Sequence, residues 1–270
     1  MEHQRIVKTP LADLAVTLHY PQTKRGESHP LIVICHGFTG TRIGVDRLFV
    51  QAARAFAESG YLTIRFDYGG CGESTGDYGA GGMDRLIEET RTVLDYALSL
   101  DCVDLSRVIL LGHSLGGAVA IQTAVRDKRV KRLVLWAPVA HPLADISRVI
   151  GPRVYKAIQA EGQADYLGYT LTERFIQSMA DAHPLQETKR FRGDVLVIHG
   201  ASDDIIPSDA AFLYQKAFWL RSDGQSDKEI LVQADHYFTG SSTRTELLRL
   251  TGEWLNRQDP RHSEWNHWII

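Results

Sequence analysis

Cysteine is scarce in this chain of 270 residues. Its three cysteines, Cys35, Cys71 and Cys102, are too few and too scattered for a disulfide framework or a zinc site, and they suit a reducing compartment. Charge of one sign is lacking as well. A net charge of −3 and a pI near 6.4 provide no field to draw the protein onto nucleic acid or an anionic membrane surface. No apolar stretch approaches the roughly 20 residues of a membrane span, and residues 1–9 carry Glu2, Arg5 and Lys8 without the apolar run of a signal peptide. The expectation is a cytoplasmic protein with no nucleic-acid partner and no membrane partner.

What is present is an ordinary globular mixture, 44% hydrophobic and 23% charged, of a length that commonly forms one large α/β unit. Short β-branched runs recur between segments of helical period, the pattern of a mostly parallel, doubly wound sheet. Strands are predicted over residues 31–35, 61–66, 107–111, 132–136, 195–199 and 229–232, each nearly continuous in apolar residues as buried parallel strands are. An antiparallel strand over 16–20 precedes them. Helices are predicted within 78–101 and over 48–58, 115–125, 208–218 and 243–255. Cys35 falls in a strand and reads as core. Residues 138–191 break the rhythm, because some fifty residues separate two strands that a crossover helix of about a dozen would join. The expectation is a single domain over 1–270 with a small helical cap inserted there, helical around 148–159 and 171–180.

The run Gly112-His113-Ser114-Leu115-Gly116-Gly117 follows a predicted strand and opens an apolar helix, the setting that G-x-S-x-G requires. The glycines permit a sharp turn that presents the Ser114 hydroxyl at a helix N-terminus, where the Leu115 amide favours negative charge. A serine hydroxyl needs a base and a group that orients the base. On such a sheet they follow in the order acid, then histidine. The loop after a buried strand holds two carboxylates, Asp203 and Asp204, one of which is the candidate acid; a solvated turn and helix cap fits Asp204 better. His236 is the candidate base, just past the last strand in Asp235-His236-Tyr237-Phe238. The first long strand runs into His36-Gly37-Phe38-Thr39-Gly40, where a second oxyanion amide, that of Phe38, is expected to join that of Leu115. The glycines of residues 67–74 make a tight turn beside the site and match no phosphate-binding pattern. Cys71 within that turn has no base assigned to it and is not a catalytic candidate.

With these motifs located, together with Arg65-Phe66-Asp67-Tyr68 and His199-Gly200-Ala201-Ser202-Asp203, the sequence resembles the α/β-hydrolase superfamily along nearly its whole length. Within it the chain is similar to small bacterial cinnamoyl or feruloyl esterases and serine-aminopeptidase-like hydrolases. The resemblance implies an α/β-hydrolase fold of about eight strands, with Ser114, Asp203 and His236 as nucleophile, acid and base, and the Phe38 and Leu115 amides as oxyanion donors. It also implies that the insertion covers the pocket, where Asp145, Tyr155, Tyr166 and Tyr169 are candidates to touch the substrate. The expected reaction is hydrolysis of a small-molecule carboxylic ester without metal or cofactor, the acyl group short or hydroxycinnamoyl. A thioesterase, a small-peptide peptidase, an acyltransferase and a ligand-binding receptor on the same fold are the alternatives. The tail, with Trp265, Trp268, Ile269 and Ile270 beside His262 and His267, is of the kind that docks on the protein body or a neighbouring subunit, so a homodimer contact is an expectation.

Overall fold

The computed structural model describes residues 1–22 and 27–258. The aromatic tail beyond Gln258, and the dimer contact expected of it, lie outside the described residues. An eight-stranded sheet forms the centre. Its strands are β1 (Glu2–Lys8), β2 (Asp13–His19), β3 (His29–Cys35), β4 (Leu62–Phe66), β5 (Val103–His113), β6 (Arg132–Trp136), β9 (Asp194–Gly200) and β10 (Ser226–Leu231). A separate hairpin pairs β7 (Gln163–Tyr166) with β8 (Tyr169–Thr172). The sheet order is β1-β2-β4-β3-β5-β6-β9-β10. β1 and β2 pair antiparallel, as do β2 and β4, and the other pairings are parallel.

The central parallel strands carry near-continuous apolar runs, over residues 31–35, 108–111, 133–136 and 195–198, because both their faces are covered. Leu31, Val33 and Cys35 face one core cluster while Ile32 and Ile34 face the other; Val195 and Val197 alternate in the same way with Leu196 and Ile198. Period two carries each side chain to its layer, so near-continuous hydrophobicity is the signature of a strand between two helical layers. One layer consists of α1 (Leu48–Glu58) and α8 (Ser241–Arg257), with Phe49, Phe56, Leu247 and Trp254 against the sheet. The other contains α2 (Gly82–Leu98), α3 (Leu115–Arg126) and α7 (Asp209–Trp219). No helix among the described residues is long and apolar enough to cross a membrane.

Three sequence expectations need correction. The last strand runs over Ser226–Leu231 rather than 229–232; its polar first half pairs along β9, and Val232 is exposed. The antiparallel edge holds a second strand, β1, beyond the one expected. Its side chains are mostly outside, with Val7 buried, and its pairing with β2 holds it in place. The segment between β6 and β9 is not purely helical. It contains α4 (Pro142–Glu161), kinked at Gly151-Pro152, then the β7–β8 hairpin, α5 (Glu173–Ala180) and α6 (Pro184–Glu187). The helix expected over 171–180 begins two residues later, because Leu171 and Thr172 are the end of β8 and the Thr172 hydroxyl caps α5 by accepting from the Phe175 amide at 3.2 Å.

Candidate active site

The chain runs from β3 to β4 on one side, then returns to place β5 on the other side of β3. At such a reversal the two following turns diverge and leave a crevice above the strand ends. The turn after β3 contributes Gly37 and Phe38 to this crevice, and the turn after β5 contributes Ser114. Ser114 has φ 57° and ψ −124°, a conformation of the kind that costs roughly 1–3 kcal/mol and persists where the surroundings over-determine it. They do so here. The Ser114 amide donates to the Trp136 carbonyl at 2.9 Å, and the Ser114 carbonyl accepts from Gly117 at 2.9 Å and Val139 at 3.0 Å. Gly116 is obligatory for steric reasons, since a Cβ there would stand 2.2 Å from the Cys35 carbonyl oxygen and 2.5 Å from that of His36.

Ser114 Oγ lies 2.9 Å from His236 Nε2, and His236 Nδ1 lies 2.7 Å from Asp203 Oδ2. The carboxylate accepts from Nδ1–H, so Nε2 carries the lone pair that accepts the serine proton. His236 is buried and the Asp203 side chain is wholly enclosed. Asp203 Oδ1 accepts the amides of Ile205 at 2.9 Å and Ile206 at 2.8 Å. Burial pushes the Asp203 carboxyl upward, but hydrogen bonds from His199 and His236 outweigh it and hold the group well below the usual carboxylate range. Asp204 faces solvent.

Two histidines outside the sequence-derived site belong to it structurally. His199, fully buried at the end of β9, places Nε2 3.0 Å from both Asp203 Oδ2 and the Ile206 carbonyl. Both neighbours are acceptors, so Nε2 carries the hydrogen and the Asp203 carboxylate receives four donors. His113, beside the nucleophile, donates from Nε2 to the His236 carbonyl at 2.8 Å. Burial, with His236 nearby, pulls its pKa down to about 3, which keeps the ring neutral. His113 is legible in the elbow motif, and His199 in the motif containing Asp203, but a histidine in a strand end reads as core.

The turn after β3 is held from behind. The Tyr68 amide donates to His36 Nε2 at 3.1 Å, which leaves the His36 Nδ1–H to donate to the Gly37 carbonyl at 2.9 Å. Gly37 presses on the nucleophile, for a Cβ there would meet Ser114 Cβ at 3.0 Å. The buried Arg42 guanidinium pairs with Asp67 and with Glu73, tying this turn to the glycine-rich turn after β4. Leu115 opens α3, so its amide is among the helix-terminal donors without an intrahelical partner.

A cavity of about 340 Å³ rises over Ser114, walled by Phe38, Leu48, Phe49, Ile146, Val149, Tyr166, Ile205 and Ile206 among others. No Asp, Glu, Lys or Arg is among its described lining residues. Of the four insertion residues expected to touch substrate, Tyr166 lines the cavity; Asp145, Tyr155 and Tyr169 do not. The Asp145 carboxylate instead accepts the His141 amide at 3.0 Å and an Arg148 N–H at 2.9 Å, and Arg148 reaches on to the Ile205 carbonyl. Tyr155 packs on the core, and the Tyr169 hydroxyl lies 3.5 Å from the Thr39 carbonyl oxygen.

A family model described as the alpha/beta hydrolase fold matches residues 30–166. The uncharacterized 31.7 kDa protein in the traX-finO intergenic region of Escherichia coli is 40% identical over 121 residues, 45% of this chain and 41% of that protein. Lysophosphatidylserine lipase ABHD12 of Bos taurus is 25% identical over 252 residues, 86% of this chain and 57% of the lipase. The chain therefore spans well under two thirds of the length of these curated relatives. Among solved structures, Est1E from Butyrivibrio proteoclasticus with ferulic acid bound superposes with a TM-score of 0.76 at 22% identity, covering 94% of this chain and 96% of that one. That is a likeness of fold.

Proposed function

The chain belongs to the alpha/beta hydrolase fold family, and from that premise we propose that it is a serine hydrolase cleaving uncharged carboxylic esters through an acyl-enzyme on Ser114. The fold alone carries no such conclusion. The observation that supports it is the unbroken relay of Ser114 Oγ, His236 and Asp203 at 2.9 and 2.7 Å, buried beneath a cavity.

In this reading His236 Nε2 takes the Ser114 proton as Oγ attacks the ester carbonyl, and Asp203 stabilises the imidazolium. The amides of Leu115 and Phe38 receive the oxyanion of the tetrahedral intermediate, each worth on the order of 100-fold in rate. The imidazolium then protonates the leaving alkoxide, and water, activated by the same base, releases the acid. The cavity wall supports the ester over two alternatives. A peptidase acting at an amino terminus needs an acidic partner for the ammonium group, and a thioesterase of phosphate-bearing thioesters needs cations; the described lining residues hold neither. Short acyl esters suit the cavity, and hydroxycinnamoyl esters are candidates alongside them, with the Tyr166 phenol in the wall.

The test is hydrolysis of p-nitrophenyl butyrate, with feruloyl and short alkyl esters beside it. Ser114→Ala is expected to lower kcat by about 10⁴-fold or more with the folded state retained; turnover that survives the substitution would overturn the scheme.

A further inference from the structure

The β7–β8 hairpin turns through Leu167 and Gly168, which have φ of 53° and 83°. A two-residue turn with both central residues left-handed favours asparagine followed by glycine, because a branched side chain is strained there. Leucine nevertheless stands at the first position, and its side chain is 76% exposed. Neither local conformation nor burial in the fold accounts for it. Its location does, since Leu167 is also a wall residue of the Ser114 cavity.

Two residues on other loops share this double character of lining the cavity and facing solvent. They are Val45, 44% exposed ahead of α1, and Tyr237, 37% exposed next to the histidine of the relay. Ile43, also 44% exposed, stands two residues before Val45. Three separate loops thus converge on an apolar rim that continues the apolar wall outward. The cavity itself, about 340 Å³, is at the small end of ligand pockets, which run from roughly 300 to 1,000 Å³. An ester arm longer than the cavity has to leave it across this rim.

We propose that Leu167 is a specificity-determining residue whose strained, exposed side chain covers the outer part of an unbranched apolar ester arm, so that the preferred substrates are esters with medium to long alkyl chains. The inference rests on the ester-hydrolase reading and extends it. Leu167 and Val45, on separate loops that line the cavity, cover the emerging chain and remove part of it from water, a gain that grows with each methylene covered. Esters whose arms end inside the cavity do not reach them.

The experiment compares kcat/KM across two series kept below their solubility limits: p-nitrophenyl esters from acetate to dodecanoate, and butanoate esters of alcohols from ethanol to dodecanol. In the unmodified protein kcat/KM is expected to rise with chain length in one series beyond the butyl length. Leu167→Asn, which suits the turn and is expected to hold or raise Tm, should lower the ratio of the longest to the shortest ester roughly fivefold. Leu167→Gly, equally compatible with the turn, should do the same, which keeps the test sound if one variant folds poorly. An unchanged ratio in both series overturns the proposal, whatever the absolute loss. So does a difference between the proteins in binding phosphatidylcholine vesicles without a change in the ratio, which would assign the rim to a lipid surface. Failure of the ester-hydrolase reading is distinguishable, because the unmodified protein would then hydrolyse none of the esters.

Discussion

Two halves of the molecule meet over Ser114, and they are held differently. The sheet-borne half consists of the turns after β3, β5, β9 and β10. Its groups are buried and tied by short bonds, so that Asp203 alone accepts four donors and the strained Ser114 backbone is bonded on both sides. The inserted half, from α4 to α6, is held chiefly by apolar packing, with Ile146, Leu171, Phe175 and Met179 buried in the core, and by a few hydrogen bonds such as the Thr172 hydroxyl donating to the Gly79 carbonyl at 2.7 Å and the Ser178 hydroxyl accepting from the Met83 amide at 2.9 Å. It presents an exposed leucine at its tip. Chemistry that needs atoms fixed within tenths of an ångström belongs on the rigid half. Discrimination among alkyl groups needs area rather than exact angles, and it belongs on the apolar one.

The contrast can be broken first at the elbow. Gly116→Ala pushes a methyl into two backbone carbonyls that cannot swing away, so we expect destabilisation of at least about 3 kcal/mol in urea unfolding. Normal stability in that variant would show that the elbow is less constrained than its contacts imply.

Acid should act on the sheet that carries this half. Burial, with Arg65 beside it, lowers His19 to about 4, and its Nε2 must stay unprotonated to accept from Arg65 Nε at 2.8 Å. His113 is lowered to about 3. Both folded values lie below the ordinary value of 6.5, so the unfolded chain binds these protons first. The stability that each neutral ring contributes is therefore complete above pH 6.5 and is lost as pH falls from there toward 4 for His19 and 3 for His113. Between pH 7 and 5 this amounts to roughly 2 kcal/mol per histidine. Urea midpoints measured across that range should fall, and less steeply in His19→Asn; a flat profile would contradict the assigned neutral rings.

A smaller effect is expected at His199. His199→Leu removes one of the two N–H donors on Asp203 Oδ2, which loosens the carboxylate that orients His236, so kcat/KM should drop about tenfold even though more negative charge then faces the imidazole. The acid limb of its pH profile should move upward. The groups facing His236 are Ser114, His113, Asp203 and Tyr237, and none of them is substituted by this change. His199→Gln, which returns an N–H to that side, should restore much of both properties. A purely structural histidine would lower Tm without moving the limb. Smaller again is the roughly fivefold change in chain-length ratio expected of Leu167→Asn, the counterpart of these tests on the inserted half.

The same division governs what the sequence discloses. Strands buried on two faces announce themselves, since every position of 31–35 or 195–198 is apolar, and a glycine-flanked serine between a strand and a helix is a tightly constrained arrangement. Edge strand β1 has one buried residue, Val7, and thus no periodic signal to read. The four-residue strands of the hairpin are too short for period two to declare itself, and Leu171, in β8, merges into the helical pattern of α5. The two-residue turn at Leu167 and Gly168 is the available clue, and leucine in the place of asparagine obscures it. Asp145 and Tyr169 look like substrate contacts by composition, yet a polar side chain in an insertion is as readily consumed in anchoring it, as Asp145 is by His141 and Arg148.

The central claim is that Ser114 is an activated nucleophile, and intact-protein mass measurement after exposure to a fluorophosphonate probe tests it most directly. One covalent adduct per folded chain is predicted, mapped to Ser114 and absent from Ser114→Ala. Folded protein that takes up no adduct, or a Ser114→Ala variant labelled to the same extent, would contradict it.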